Sequence, residues 1–396
     1  MQLIGQVQRI LRRYQHYAAF RLLVLVSLVI ILVFLMVESV STNQVQTTDI
    51  DRDMVIRATL DSLADQIGIE YDSELDYEQR AVRQNTSLIN EVRWPRVAMA
   101  VLVGAALGLA GSVLQGVFRN PLADPGLIGV SSGAAVGAIT AILIGVDLTS
   151  ALETLPDLGI LDPANLSGLK FAQALAAFAV GLMVTLLVYR LSRLGGRTDT
   201  ANLLLIGLAV NSISGAYVGV ATFIGDEQQT SDIIFWSLGS VAGVFWEDVY
   251  LAAPFVLTGV VILPTLARQL NVMTLGEAEA RTLGINTERL RQITVGLSAL
   301  MVGVAVGFAG IIGFIGLVVP HLMRLLFGPD HRLILPGSVI SGAIFLVAAD
   351  MFGRTIPNPS TAGIAVEVPV GILTALVGGP FFLFLVLLHQ SRRKLT

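Results

Sequence analysis

The chain has 396 residues, of which 54% are hydrophobic and only 14% charged, with a formal net charge of −4 at neutral pH. Water-soluble domains carry about 25% charged residues, so this composition, with its mean hydropathy of +0.75, excludes an ordinary soluble domain. The chain has no cysteine, which excludes disulfides and thiolate metal sites outright.

The first apolar run, residues 22–37, follows Arg9, Arg12, Arg13 and Arg21. No small-residue cleavage site comes after it, so it is expected to stay as an anchor. Residues 39–92 are then an acidic, extracytoplasmic insertion. Within it Met54, Ile56, Leu60, Leu63 and Ile67 recur near helical spacing after Asp53, and Ser73 with Asp76 resembles a capping box. Two amphipathic helices are expected there, forming either a solvated external lid or a docking surface for an outside partner.

Residues 97–118, 125–146, 171–189, 200–225, 249–267, 292–323, 333–349 and 368–391 contain no Asp, Glu, Lys or Arg. About 20 apolar residues cross the hydrocarbon core. The run 292–323 is too long for one crossing and holds Gly313, Gly316 and Pro320, so it reads as two helices. The expectation is an all-α polytopic membrane protein with about ten transmembrane helices. Its parts are an anchor (1–38), the insertion (39–92), a core transmembrane domain (93–391) and a short tail (392–396).

Lys and Arg collect in cytoplasmic loops. With the N-terminus inside and the spans alternating, seventeen of the 25 basic residues fall inside. The outside segment 225–248 carries Asp226, Glu227, Asp232, Glu247 and Asp248 and no basic residue. Both termini are therefore expected in the cytoplasm. A weak internal similarity links Gly104-Ala-Ala-Leu-Gly108-Leu-Ala110-Gly111 to Gly303-Val-Ala-Val-Gly307-Phe-Ala309-Gly310, and Ser132-Gly133-Ala134 to Ser341-Gly342-Ala343. The copies run in opposite directions, the pattern of an inverted repeat. Both are also Gly-xxx-Gly faces that let helices approach closely.

Ion-driven transporters usually carry an ionisable residue at membrane depth. These runs hold none, Asp350 and Glu367 lie near outer helix ends, and His321 follows Pro320 at a helix break. A nucleotide-binding P-loop needs Gly-Lys-Ser/Thr, yet the only lysines are Lys170 and Lys394, after Leu169 and Arg393. The chain therefore is not expected to hydrolyse ATP, to be an enzyme or to hold a cofactor or metal. Any ATP and Mg would sit on a separate chain. An ion-coupled secondary transporter and a membrane-embedded enzyme are the competing classes.

Between the sixth and seventh spans, residues 271–290 read as a compact knob on the inner face. Glu277 and Arg281 form an i,i+4 pair, and Gly284 fits a helix stop. With this segment, three further stretches resemble the FecCD family of binding-protein-dependent permeases, whose members serve ferric siderophores, haem and vitamin B12. The first is Arg93-Trp-Pro-Arg96 leading to Gly104–Gly111, then Gln115 to Asn120-Pro121-Leu-Ala-Asp124-Pro125 and Gly129-Val-Ser-Ser-Gly133. The second is Gly313-Phe-Ile-Gly316-Leu-Val-Val-Pro320-His321 to Arg324, with Asp330-His331-Arg332. The third is Asp350-Met-Phe-Gly-Arg354, followed by Glu367-Val-Pro369 to Pro380.

The resemblance implies two permease copies around one path, two cytoplasmic ATPases and an extracytoplasmic binding protein, in a prokaryotic inner membrane, with no nucleic-acid partner. It implies that Leu275, Gly276, Glu277, Ala278, Arg281, Leu283 and Gly284 engage the ATPase. It also implies that Arg93, Arg96 and Arg354 meet carboxylates of the binding protein. Gln115, Ser131, Ser132, Asn211, Ser212 and Ser214 are the small polar residues in position to line the path. The implied cargo is an iron chelate, ferric siderophore or haem, with vitamin B12 as the alternative. The insertion is longer and more acidic than the family pattern.

Overall fold

The computed structural model describes residues 18–41, 55–56, 58–59, 87–145, 168–194, 197–198, 200–356 and 367–393. In chain order the helices are α1 (Ala18–Ser41), α2 (Trp94–Phe118), α3 (Val130–Ile144), α4 (Gly168–Leu191), α5 (Thr200–Ile224) and α6 (Glu227–Leu238). They continue with α7 (Trp246–Ile262), α8 (Ala267–Met273), α9 (Glu277–Thr282), α10 (Thr287–Ala309), α11 (Ile315–Phe327), α12 (His331–Thr355) and α13 (Val370–Arg393). A two-residue antiparallel ladder, β1 (Arg193–Leu194) with β2 (Arg197–Thr198), follows α4.

Seven helical stretches are long and apolar enough to cross a membrane: Ala19–Ser41, Leu88–Phe118, Gly168–Leu191, Ala201–Ile224, Trp246–Met273, Thr287–Ala309 and His331–Thr355. Three shorter apolar helices, Val130–Ile144, Ile315–Phe327 and Val370–Phe384, occupy the positions of the other three expected spans. The long run 292–323 does divide. α10 ends at Ala309, Gly310 and Phe314 take left-handed φ angles of 70° and 68°, and α11 starts at Ile315. Gly310 suits that conformation because it has no Cβ. Phe314 is held in it with its side chain against Gly378, where a Cβ would fall 2.2 Å from the Phe314 Cβ.

The bundle is organised around α2, which is apolar on all sides and 83% buried across its membrane window, the mark of a central helix. It packs against α10, α11 and α12. Lipid removes the hydrophobic drive between helices, so close backbone contact has to supply the attraction. A Cβ on Gly104 would lie 2.3 Å from the Gly342 carbonyl oxygen, and one on Gly342 would lie 2.2 Å from that of Gly104. Ser112 and Ser338 hydroxyls meet at 2.5 Å in the same buried seam. The second glycine stretch packs elsewhere, Gly303 beside Phe178 and Gly307 beside the Ala174 carbonyl, both on α4. At the other extreme, none of the α1 window is buried.

The outside segment 225–248 is more ordered than a plain acidic loop. Asp226 caps α6 by accepting the Gln229 N–H at 2.8 Å, and Gln229 Oε1 accepts the Asp226 N–H at 3.1 Å. This reciprocal box was present in the residue pattern. Of the acidic insertion only fragments fall within the described residues, and Ser73 with Asp76 lies outside them. Val55 and Ala58 are buried. Trp94 Nε1 donates to Thr59 Oγ1 at 3.0 Å, and Trp246 Nε1 donates to the Asn90 carbonyl at 2.7 Å. The insertion thus touches the outer ends of α2 and α7.

Candidate functional site

Three constellations carry chemistry, at the end of the bundle formed by α8 and α9, at the end formed by Arg96 and Arg354, and in a cavity. At the first of these α7 runs on through Leu263–Leu266 into α8, and the chain then reverses through α9 into α10. Gly276 opens the reversal at φ 140°. Gly284 closes it at φ 83°, its N–H bonded to the Arg281 carbonyl and that of Ile285 to the Ala280 carbonyl. Those two bonds form a Schellman stop. Asn286 then caps α10 by accepting the Arg289 N–H at 2.9 Å.

The anticipated Glu277–Arg281 pair is present at 2.5 Å. A stronger tie escaped the sequence reading. Arg291, one turn inside α10 with its side chain 2% exposed, reaches Glu277 at 3.3 Å and Glu288 at 3.4 Å. Its position at the edge of an apolar run was the available signal. Arg281 Nε also donates to Thr287 Oγ1 at 3.0 Å. Glu288 accepts the Tyr189 hydroxyl at 2.6 Å, which extends the chain of contacts to α4. Burial alone would raise the Glu277 carboxyl, but Arg291 and Arg281 outweigh it and hold the group below its ordinary value of 4.5. Ala280 is fully buried beneath the turn, while Leu275 and Leu283 are each 64% exposed on either side of α9. The result is a braced protrusion with two apolar side chains on offer.

At the second, Arg96 Nη2 meets Asp350 at 2.7 Å and Glu367 at 2.6 Å. Arg354 meets the other Asp350 oxygen at 3.2 Å and donates to the Ser39 carbonyl at 2.9 Å and to the Ser39 hydroxyl. Arg93 Nη1 donates to the Val40 carbonyl at 2.5 Å. Expected to face a partner's carboxylates, Arg96 and Arg354 instead have side chains only 12% and 3% exposed and face acids of their own chain. The physical reason is burial: a guanidinium at these helix ends needs a carboxylate at hand. The i,i+4 spacing of Asp350 and Arg354 was the sequence signal for it. Together these groups brace α2 and α12 and tie them to the end of α1.

The third is a cavity of about 460 Å³ bordered by α3, α5 and the break before α11. Ser131, Ser132, Asn211 and Ser214 line it together with Asp124 and Gly313. Asp124, not anticipated as lining, accepts the Gly126 N–H at 2.8 Å and so holds the turn that starts α3. Two expected residues sit elsewhere. Gln115 is buried, donating to the Gly316 carbonyl at 2.9 Å and accepting from Arg324, which joins α2 to α11. Ser212 is exposed on another face of α5 and bonds back to the Leu208 carbonyl at 3.0 Å.

Among the described residues no group of three or more His, Asp or Glu is placed to hold a metal. A split-helix bundle with a braced inner knob and a small polar cavity is what the motif resemblance leads one to expect. Residues 54–388 match the FecCD transport family. The chain belongs to this family. FecCD relatives include the hemin transport system permease protein HmuU of Yersinia pestis, 41% identical over 76% of this chain and 84% of that protein. The cobalamin import system permease protein BtuC of Halobacterium salinarum is 41% identical over 75% of this chain and 73% of its own. Among solved structures, an ABC transporter described as of metal-chelate type, in an inward-facing conformation, aligns with a TM-score of 0.69. It is 30% identical, covering 92% of this chain and 98% of that one. The FecCD chain described here is accordingly a multi-span transport permease.

Proposed function

We propose that this permease is the translocating subunit of an ATP-driven, binding-protein-dependent importer for iron chelates. The observation that carries the proposal is the inner knob. It is rigidly tied to α10 through Arg291 and to α4 through Glu288, and it offers Leu275 and Leu283 to a partner. A protrusion braced in this way passes a push on the inner face directly into two spans. The partner we assign to it is a cytoplasmic ATPase, which would hold the ATP and Mg that this chain has no P-loop to bind.

Two permease copies would enclose the path, each contributing the cavity lined by Ser131, Ser132, Asn211 and Ser214. Only 17% of the α5 window is buried within one copy, and its exposed Leu205, Leu208 and Ile213 suit that contact. Both termini lie in the cytoplasm on the distribution of basic residues. An extracytoplasmic binding protein docks on the opposite face near Arg93, while Arg96 and Arg354 fix the helix ends beneath it. The similarity to a hemin permease and to a metal-chelate transporter supports an iron chelate as cargo, haem foremost. The cobalamin permeases among the relatives support the second reading, vitamin B12.

Co-expression with the neighbouring ATPase and binding-protein genes tests both. The binding protein should retain haem or a ferric siderophore, and ATP should drive its entry into vesicles. Entry of cobalamin with exclusion of every iron chelate would move the assignment to the second reading.

A further inference from the structure

A groove between α4 and α10 has no part in the transport scheme. It encloses about 470 Å³. Leu182, Leu186, Val295, Gly296 and Ala299 line its length, and Arg190, Arg193 and Gln292 stand at one end. Nothing lies within 4 Å of where a Cβ on Gly296 would point, so the floor is open. Only a third of the α4 window is buried, and Met183, Leu186 and Leu187 are exposed beside the groove.

Apart from Thr185, whose hydroxyl is spent on the Gly181 carbonyl at 2.9 Å, the lining is polar at one end only. Tyr189 and Arg193 both contact Glu288 there, at 2.6 and 3.7 Å. Arg190 makes no ion pair among the described residues. The β1–β2 ladder folds the chain back at this end of the span, pairing Leu194 with Arg197. From Arg190 back to Leu182 the apolar lining runs about 12 Å along the helix axis, most of one leaflet of a roughly 30 Å hydrocarbon core. Arginines that merely snorkel need no groove beneath them. An amphipathic ligand with an anionic head and an apolar tail matches both ends at once.

We propose that this groove is a binding site for an anionic phospholipid, one acyl chain lying along Leu182, Leu186 and Gly296 and the phosphate between Arg190 and Arg193. The proposal requires only that this end of α4 meet a membrane surface, so it stands or falls separately from the cargo and the ATPase.

The full-length chain, purified with the subunits that accompany it, is titrated with phosphatidylglycerol and with phosphatidylcholine of the same acyl chains, and bound lipid is read by native mass spectrometry. Phosphatidylglycerol should bind preferentially. Arg190→Ala and Arg193→Ala should each weaken it roughly fivefold, and Gly296→Leu, which fills the floor, should remove it. Glycerol 3-phosphate should not compete. Equal retention of both lipids, wild-type phosphatidylglycerol binding by both arginine variants, or displacement by glycerol 3-phosphate would overturn the site. So would a disulfide between two Leu186→Cys copies, which would show a second chain covering the groove. The arginine variants lie at the surface and carry the test even if Gly296→Leu misfolds.

Discussion

At the residue scale, single buried charges hold the ends of the bundle. Asp350 is 1% exposed and faces both Arg96 and Arg354. Asp350→Ala would leave Arg354 with carbonyl and hydroxyl partners only, and losing one member of a buried pair costs about 3–5 kcal/mol. Unfolding in detergent should show that loss, and adding Arg354→Met to the same chain should recover much of it; wild-type stability in Asp350→Ala would contradict the bracing role. Glu277 gives a pH signature. Its folded-state pKa is depressed, so the stability it contributes is present above 4.5 and is lost as pH falls below that value through the folded pKa. The stability gap between wild type and Glu277→Gln should stay constant above about pH 5 and close below it. A gap that persists at lower pH would assign the effect to shape, not charge. The Glu277–Arg281 pair was legible from spacing alone. The tie from Arg291 to Glu277 was not, because the path of the chain between α9 and α10 is fixed only in the folded protein, although the i,i+3 spacing to Glu288 could have been read.

At the scale of elements, charge-free runs marked the spans well, since a membrane leaves few other uses for such lengths. The break in 292–323 was equally legible from Gly313, Gly316 and Pro320, although Gly310 and Phe314 supply the left-handed turns. α6 was not apparent because the acidity of 225–248 resembles that of a solvated loop, while the helix start is marked only by the Asp226–Gln229 spacing. The path residues were only partly legible. Polarity singles out Ser131 and Gln115 alike, but which face of a helix meets a cavity depends on crossing geometry. Two element-level outcomes are expected. Gly104→Val would force α2 from α12 against the Gly342 backbone, and overpacking of this kind costs about 1–3 kcal/mol, measurable as a lowered unfolding midpoint. Gly284→Val would strain the left-handed stop of α9. With the ATPase bound, hydrolysis should continue in this variant while transport falls; an unchanged ratio of transport to hydrolysis would remove the knob from the coupling path.

For the whole molecule, a chain that spans the membrane about ten times has one braced knob at one face and one ion-pair brace at the other. On the proposed coupling, pressure on the knob would reach α10 and α4, while ion pairs join α2 and α12 at the far end. Such a body can rock about its outer brace and change the opening of the cavity beside α5. On the proposed function the energy comes from a partner ATPase, in keeping with a chain whose lysines lie in no P-loop and whose apolar runs contain no acidic or basic side chain. The most direct test is uptake of the bound chelate into sealed vesicles holding the permease, its ATPase and its binding protein, with ATP and ion gradients controlled separately. Accumulation should stop when ATP is withdrawn and continue when ionophores collapse every gradient. Accumulation that survives without ATP and disappears with the gradient would contradict the account.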